Sequence, residues 1–161
     1  MRAVLQLCTR ASVSIDGKLH ESIGRGMLLL IGVGANDTEE SAAVLADKIA
    51  KLRIFPDEND RLNKNLCDSE IEGDLLIISN FTLYADCKKS RRPDFFGSAK
   101  GEEAKRLFDT FLASLRAKLD DHCRTNALRF PTIKTGVFGA DMQVELINDG
   151  PVTLILDTDA L

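Results

Sequence analysis

Two unbroken apolar segments constrain most strongly what this chain can fold into. Residues 27–33 (MLLLIGV) and residues 75–78 (LLII) contain no polar side chain, and a glycine stands at or near the start of each segment. A strand that is apolar without alternation is typically covered on both of its faces. The sequence therefore predicts two fully buried strands.

The N-terminal segment has a different pattern. Residues 2–8 alternate between apolar and polar side chains, and residues 11–15 alternate again. Such alternation is typical of strands that bury one face, so this segment predicts two half-buried strands. Asp16 and Gly17 follow directly, and this dipeptide favours the positive φ angles of a tight hairpin turn.

Helical periodicity occurs twice. Asp37 is the expected N-cap of the first helix, because Glu40 stands three positions later at the spacing of a capping box. Residues 57–65 are polar and follow Pro56, so a long loop is expected after this helix. The second helix is predicted over residues 102–119, where apolar side chains recur every three or four positions. The apolar stripe of the first helix comprises Val44, Leu45, Ile49 and Leu52.

The C-terminal region predicts two further strands, residues 142–147 and residues 152–156, paired through a turn at residues 148–151 (NDGP). A cis peptide is most plausible at an X-Pro bond in a tight turn, and at Gly150-Pro151 it would form a rigid main-chain clamp. Together the elements predict one mixed α/β domain over residues 1–161, with mixed sheets and two main helices.

Composition bounds the class of protein. The chain has 161 residues, of which 44% are hydrophobic and 29% are charged, as in an ordinary globular domain. Its apolar runs fall far short of the ~20 residues of a membrane-spanning helix. The N-terminus lacks the pattern of a secretory signal. We therefore expect a cytoplasmic protein without a membrane partner.

The chain offers few side chains for familiar kinds of catalysis. His20 follows the predicted hairpin turn and His122 lies at a helix end, so neither is expected beside a nucleophile as in a Ser-His-Asp triad. The four cysteines are scattered without a Cys-x-x-Cys pair, which argues against a zinc site. Glycine-rich phosphate-binding and dinucleotide-binding motifs are also missing. Neither a metal nor a cofactor is expected.

Polar residues follow the second buried strand. Ser79, Asn80, Phe81 and Thr82 stand at its C-terminal end, which is the usual location of ligand sites in open α/β sheets. Their hydroxyls, amide and backbone N–H groups are suited to hold a developing oxyanion. From residue type alone, the simpler interpretation is that these groups satisfy a strand end before a loop.

A basic cluster follows this segment. Lys88, Lys89, Arg91 and Arg92 fall within five residues, although the net charge of the chain is −4. Such a cluster fits contacts to phosphate groups, and a solvated loop is an equally good interpretation. Cys87 precedes the cluster, whose positive charge favours a thiolate, so it is the one candidate for a reactive cysteine.

Five segments, in this order along the chain, resemble those of D-aminoacyl-tRNA deacylases. They are residues 2–13, 79–83 (SNFTL), 91–95 (RRPDF), 139–144 (GADMQV) and 148–153 (NDGPVT). Each segment alone is a weak signal, but together they span nearly the whole chain. The resemblance implies a three-layer β/α/β fold and a homodimer with two active sites at the subunit interface. It also implies hydrolysis of the ester that joins a D-amino acid, or glycine, to the terminal adenosine of tRNA.

The resemblance implies roles for particular residues. Gly150-Pro151 corresponds to a cis dipeptide inserted into the partner's site, where its carbonyls clash with an L side chain and leave room for hydrogen. Thr82 matches the position long considered for a nucleophile. Because an unactivated threonine hydroxyl is a poor nucleophile, we favour direct attack by water, assisted by the neighbouring ribose hydroxyl. The pocket is expected to be lined by residues 79–82 with Phe138, Ala140 and Met142, and the acceptor end of tRNA to be contacted by Lys88, Lys89, Arg91 and Arg92.

Two positions depart from the family pattern. Leu7 stands where an arginine is usual, and Asn80 stands where a glutamine is usual. Asn80 keeps the amide on a shorter side chain, whereas loss of the arginine is expected to loosen whatever holds the Gly-Pro element. Three alternatives stay open: an editing enzyme that also accepts certain L-amino acids, a non-catalytic RNA-binding or scaffold module, and a hydrolase that depends on Cys87.

Overall fold

A mixed sheet of six strands is the largest element of the fold. The computed structural model describes residues 1–88 and 91–161, so Lys89 of the basic cluster lies outside the described residues. In chain order the elements are β1 (Arg2–Ile15), β2 (Lys18–Ile23), β3 (Gly26–Gly32), α1 (Glu39–Lys51), β4 (Arg53–Pro56), β5 (Leu62–Asn65), β6 (Asp74–Ser79), a 3₁₀ helix (Phe81–Tyr84), α2 (Gly101–Asn126), β7 (Ile133–Thr135), β8 (Gln143–Asp157) and a short 3₁₀ turn (Thr158–Ala160).

The strands of this sheet run in both directions, as expected for a mixed sheet. The order is β2-β1-β3-β6-β7, and β8 pairs with β1. The β3–β6 and β6–β7 pairs are parallel, whereas β1 pairs antiparallel with β2, β3 and β8. The mixed α/β class with two main helices is therefore confirmed.

The two half-buried strands predicted at the N-terminus form one strand, β1. Residues 2–8 of β1 pair with β3, and residues 11–15 pair with β2. Against β8 the register shifts between Gln6 and Arg10. Before the shift Ala3, Leu5 and Leu7 join one core cluster, and after it Ala11 and Val13 join the other. A β-bulge of this kind turns the side chains of a strand to the opposite face of the sheet. Asp16 and Gly17 have φ angles of 51° and 72°, which confirms the predicted turn.

The predicted C-terminal hairpin is wrong. Residues 142–147 and 152–156 do not pair with each other, because all but Met142 belong to the single strand β8. Both parts pair antiparallel with β1, from Gln143 opposite Ser14 to Asp157 opposite Arg2. Alternation along a strand does not identify its partner, and β1 is long enough to pair with both parts.

Helix α1 begins one residue later than predicted. Thr38, not Asp37, is the N-cap: its hydroxyl accepts the Ser41 N–H at 3.4 Å, and the Ser41 hydroxyl accepts the Thr38 N–H at 3.2 Å. Glu40 takes no part in this capping box. The Asp37 carboxylate instead accepts the backbone N–H of Gly34 at 2.5 Å. A hydroxyl at the next position therefore caps the helix and leaves Asp37 to contact other parts of the chain.

Two further boundaries differ from the predictions. The end of the expected loop, residues 62–65, forms β5, which pairs antiparallel with β4. Helix α2 continues past Leu119 to Asn126 and ends at Ala127, whose φ is 53°. Its last turns still bury an apolar side chain, that of Cys123. Neither helix in the described part of the chain has the combination of length and apolar character needed to cross a membrane.

Helices α1 and α2 pack on one face of the sheet. On this face Leu29 of β3 and Ile77 of β6 belong to the core cluster that contains the helices' buried side chains. Leu28 and Leu76 point the other way and join a second cluster with Ile23 of β2. Strands β3 and β6 are therefore buried on both faces, as predicted. The β/α/β layer order and the dimer stay predictions.

Neighbouring residues of α1 provide a test of this packing. Leu45 is fully buried, whereas Val44, which the sequence places in the same stripe, is 39% exposed. We expect Leu45→Ala to lower the free energy of unfolding by about 2–5 kcal/mol through loss of buried contacts and a residual cavity. Val44→Ala, the matched control, should change it by less than ~0.5 kcal/mol. Urea unfolding measures both, and equal losses would contradict the assigned face.

Candidate active site

Strands β3 and β6 position the polar segment at residues 79–82. Ser79 pairs with Ile31 at the end of the parallel ladder, and the Asn80 N–H donates to the Ile31 carbonyl at 2.7 Å. The chain then turns into the 3₁₀ helix. Asn80 caps this helix: its Oδ1 accepts the Thr82 N–H at 3.1 Å and the Thr82 hydroxyl at 2.5 Å.

The 3₁₀ helix lies against the end of β3 because the chain has glycines there. A Cβ on Gly32 would lie 3.0 Å from Leu83 Cβ, and a Cβ on Gly34 would lie 2.7 Å from the Tyr84 ring. The Tyr84 hydroxyl donates to Asp37 at 3.2 Å. Burial, together with the nearby Asp37 carboxylate, raises the pKa of Tyr84. The hydroxyl is therefore a stable donor, and this anchor was not predicted from the sequence.

Arg2 holds the other side of the same helix. Its guanidinium donates to the Leu83 carbonyl at 3.2 Å and to Asp157 Oδ2 at 2.7 Å. The same group lies 4.4 Å from the centroid of the Tyr84 ring. Its pairing with Asp157 raises the pKa of Arg2, so the group stays charged. The 3₁₀ helix is thus tied to β1 and to the end of β8.

A cleft of about 780 Å³ opens between this segment and the connection from β7 to β8. Phe138, Ala140 and Met142 line it opposite residues 79–82, so the structure brings these predicted pocket residues together. Phe138 packs on Phe108 of α2 with ring centroids 5.8 Å apart. Other lining residues, which the sequence did not single out, include Phe95, Ser98, Lys100, Gly101, Ala104 and Asp141.

The ionisable side chains that line the cleft, among the described residues, are Lys100 and Asp141. For Asp141 the sequence held a signal, because it lies inside the GADMQV segment; Lys100 precedes the predicted helix start at residue 102 and is the N-cap of α2 in the structure. His20 is exposed on β2, and His122 lies near the C-terminus of α2; neither lines the cleft. No group of three or more His, Cys, Asp or Glu side chains in residues 1–88 and 91–161 is placed to hold a metal ion.

The arrangement favours some chemistry over others. The Thr82 hydroxyl donates to an amide oxygen, which does not take up its proton, so this contact does not activate it as a nucleophile. The Thr82 N–H is occupied by the same oxygen. The N–H groups at the start of a helix have no partner within it, and Phe81, the first residue of the 3₁₀ helix, lines the cleft. The site is therefore better equipped to polarise a carbonyl than to form a covalent intermediate.

Gly150 and Pro151 are exposed on β8 and do not line the cleft of their own chain. Their peptide bond is cis, and Gly150 has a φ of 112°. The Asn148 amide fixes the segment, because its Nδ2 donates to the Leu7 carbonyl at 2.8 Å and to the Val152 carbonyl at 3.0 Å. Leu7 thus supports the segment through its backbone, while its side chain is buried in the core.

The basic cluster lies apart from the cleft lining. Lys88, Arg91 and Arg92 are exposed, and none of them lines the cleft. The loop that carries them is closed by a bridge in which Asp86 and Asp94 exchange backbone hydrogen bonds of 2.9 and 3.0 Å. A role in contacting phosphates stays a prediction.

The cysteines offer a test of accessibility. Cys87 is exposed, whereas Cys8, Cys67 and Cys123 are buried. Burial raises the pKa of Cys8 to about 11 and that of Cys67 to about 12, which keeps both as unreactive thiols near neutral pH. We expect iodoacetamide at pH 8 to modify Cys87 alone in the folded protein, as measured by peptide mass spectrometry. Rapid labelling that persists in Cys87→Ser would contradict this.

The chain is similar in sequence to proteins of one known family. The sequence model of the family described as D-Tyr-tRNA(Tyr) deacylase matches residues 4–157. A D-aminoacyl-tRNA deacylase of Clostridium botulinum (strain 657 / Type Ba4) is 46% identical over 158 residues, which cover 98% of this chain and 97% of the relative. Another, from the Eklund 17B / Type B strain, is 48% identical over 158 residues, with the same coverage of 98% and 97%.

Two solved structures have the same fold. One, described as c-Myc DNA Unwinding Element Binding Protein, matches with a TM-score of 0.82 and 37% identity over 98% of both chains. The other, described as a probable eukaryotic D-amino acid tRNA deacylase, matches with a TM-score of 0.77 and 18% identity, over 96% of this chain and 97% of that one. From the match of the sequence model over residues 4–157, the chain belongs to the D-Tyr-tRNA(Tyr) deacylase family.

Proposed function

We propose that this protein hydrolyses the ester between a D-amino acid, or glycine, and the 3′-terminal adenosine of tRNA. The products are free tRNA and the free amino acid. Family membership and relatives named D-aminoacyl-tRNA deacylase support the reaction. The observation that carries the proposal is the cleft, whose lining includes the strand-end segment 79–82 and the apolar side chains of Phe138 and Met142.

The proposed chemical step is direct attack by water on the ester carbonyl. The bond between the acyl carbon and the ribose oxygen breaks; the water oxygen stays on the acyl group and a proton passes to the ribose oxygen. The Phe81 N–H stabilises the developing oxyanion, and Ser79 and Asn80 shape the pocket around it. The neighbouring ribose hydroxyl assists in activating the water. An aminoacyl ester is already labile, so positioning supplies much of the rate.

We further propose that chirality is selected across a homodimer. Gly150-Pro151 of one subunit enters the partner's cleft and its carbonyls exclude an L side chain. Support comes from the exposure of this dipeptide on its own chain. Ile147 and Ile155 of β8 are also 48% and 76% exposed, as expected of a strand that contacts a second copy. Sedimentation velocity measures the oligomeric state.

The tRNA is proposed to contact the basic cluster through its acceptor end. Lys88, Arg91 and Arg92 are the described cations of this cluster, and Lys89 completes it in the sequence. Phosphate contacts of this kind position a nucleic acid without reading its sequence. The expected location of such a reaction is the cytoplasm, where aminoacyl-tRNA is used.

Two alternatives remain as outcomes of the tests. An editing enzyme with a relaxed filter would cleave D- and L-esters alike. A non-catalytic module would bind nucleic acid without cleaving the ester, and the name of one structural relative refers to DNA binding. Against a hydrolase that depends on Cys87, this thiol does not line the cleft, and its alkylation is expected to leave hydrolysis unchanged.

The first experiment compares hydrolysis of D-Tyr-tRNA and L-Tyr-tRNA by the purified protein. We expect rapid cleavage of the D-ester and L-ester loss at the rate in buffer. Thr82→Ala should keep kcat/KM for the D-ester within about 10-fold of the unmodified protein, whereas loss of a covalent nucleophile costs roughly 10⁴-fold or more.

Thr110→Ala is the matched control, because the Thr110 hydroxyl bonds within its own helix α2, to the Arg106 carbonyl at 2.9 Å. A collapse of activity in Thr82→Ala alone would assign Thr82 as the nucleophile. Binding of tRNA without cleavage of either ester would support the non-catalytic module.

Asn148→Ala tests the support of the Gly-Pro segment. The substitution removes hydrogen bonds to Leu7 and Val152, each contributing ~1 kcal/mol. We expect the ratio of kcat/KM for the D-ester over the L-ester to fall about 10-fold, since a looser segment excludes L side chains less strictly. Asn126→Ala is the control, because Asn126 bonds to His122 of its own helix. An unchanged ratio would contradict the role of Asn148 in holding the Gly-Pro segment.

A further inference from the structure

An exposed aromatic side chain stands beside the cleft. Phe96 keeps 79% of its surface exposed, the largest fraction for a large hydrophobic residue in the described part of the chain. It directly follows Phe95, which lines the cleft. Single exposed apolar side chains are ordinary on protein surfaces, so exposure alone assigns no role. The groups around the Phe96 ring indicate what it binds.

The backbone is fixed on both sides of Phe96. Its N–H donates to Asp94 Oδ1 at 3.3 Å. On the other side, the Gly97 carbonyl accepts the Ala35 N–H at 2.9 Å, and the buried Ser98 hydroxyl donates to the Val33 carbonyl at 3.3 Å. The backbone beneath the ring is therefore held by hydrogen bonds on both sides. Binding to such a side chain costs less entropy than binding to a mobile loop.

A cation and a pair of aromatic rings lie near Phe96. The Lys100 ammonium lies 5.6 Å from the centroid of the Phe96 ring, and Lys100 also lines the cleft. Phe95 contacts Phe81 edge to face with centroids 5.0 Å apart, and Phe81 is 57% exposed. Exposed aromatic faces interleaved with cations bind unpaired nucleotides, because bases stack on the rings and the cations meet the phosphates.

We propose that Phe96 stacks on the base of the nucleotide that precedes the terminal adenosine of tRNA, and that Lys100 contacts the phosphate between these two nucleotides. The inference rests on the proposed function, because it takes the ester to lie in the cleft against residues 79–82. The unpaired strand leaving the cleft then passes Lys100 and reaches Phe96. The exposed cations Lys88 and Arg91 nearby in sequence favour a polyanion over an apolar protein partner at this surface.

The test compares two substrates that differ in the preceding nucleotide. Phe96→Ala is expected to raise KM for D-Tyr-tRNA about 5- to 150-fold, the effect of losing one stacked base. KM for the D-tyrosyl ester of adenosine alone should not change, because that substrate has no base to stack. Phe96→Tyr should restore the low KM. Phe130→Ala, which removes a 39% exposed ring at the opposite end of α2, should leave both KM values unchanged.

Binding without turnover gives a second measurement. The chain has no tryptophan, so Phe96→Trp carries a single fluorescent reporter at this position. Titration with the trinucleotide CCA should quench its emission, because a base stacks on the indole. The matched variant Phe130→Trp should show no such quenching.

The outcomes separate this inference from the proposed function. If the unmodified protein cleaves neither D-Tyr-tRNA nor the D-tyrosyl ester of adenosine, the proposed function is wrong, and so is the stacking role that rests on it. If it cleaves D-Tyr-tRNA and the D-tyrosyl ester of adenosine, and Phe96→Ala keeps the original KM for D-Tyr-tRNA, only the stacking role is overturned. An equal rise of KM for both substrates would indicate a structural effect and would also overturn it, as would Phe96→Trp emission that CCA leaves unquenched.

Discussion

The pairing of β1 with β8 is the interaction on which the rest of the structure depends. It joins Arg2 to Asp157 at one end and Ser14 to Gln143 at the other. The same β1 pairs with β3, whose end carries the cleft. The strand that presents Gly150-Pro151 and the strand beside the polar segment 79–82 are therefore both neighbours of β1. A shift in the β1–β8 register would move the dipeptide relative to the cleft, and it would also turn buried side chains toward solvent.

The irregular part of this pairing is held by side chains. Where the register shifts, Asn148 bridges the Leu7 and Val152 carbonyls, and Gln6 donates to the Thr153 hydroxyl at 3.2 Å. The two Asn148 bonds satisfy main-chain carbonyls at the register shift, and the Gln6–Thr153 bond joins the two strands through their side chains. Leu7 takes part in this network through its backbone carbonyl, and the expected loosening by loss of the family arginine stays a prediction. The absence of this arginine removes a charge at a position whose side chain here belongs to the core.

How far the sequence predicts this fold depends on whether a pattern is local. The buried strands at residues 27–33 and 75–78 and the turn at Asp16-Gly17 follow from local patterns, and the structure confirms them. The C-terminal hairpin was wrong because strand pairing is a long-range choice. The prediction that Asp37 caps α1 was wrong for a similar reason. Its ion pair with the Met1 ammonium and its hydrogen bond to Tyr84 join residues far apart in sequence.

The same distinction applies to the site. Phe138, Ala140 and Met142 were expected beside residues 79–82 through a resemblance, and the structure places them around one cleft. Lys100 and Phe95 reach that cleft only because the segment before α2 is tied to residues 33–35 through Val33 and Ala35. Spacing along the chain contains no sign of that contact. The dipeptide 150–151 is different again, because its proposed place of action lies outside its own chain.

The scarcity of ionisable groups in the cleft has a consequence for how selectivity arises. Asn80 is shorter than the usual glutamine, and its oxygen is occupied by the N–H and hydroxyl of Thr82 two residues on. This local capping fixes the start of the 3₁₀ helix, where the Phe81 N–H lies. A preformed donor acts on any ester carbonyl that reaches it, whichever amino acid is attached. In the proposed reaction, discrimination must therefore come from which substrates fit the site. The main chain at Gly150-Pro151 selects on the amino-acid side, and the Phe96 ring selects on the nucleotide side.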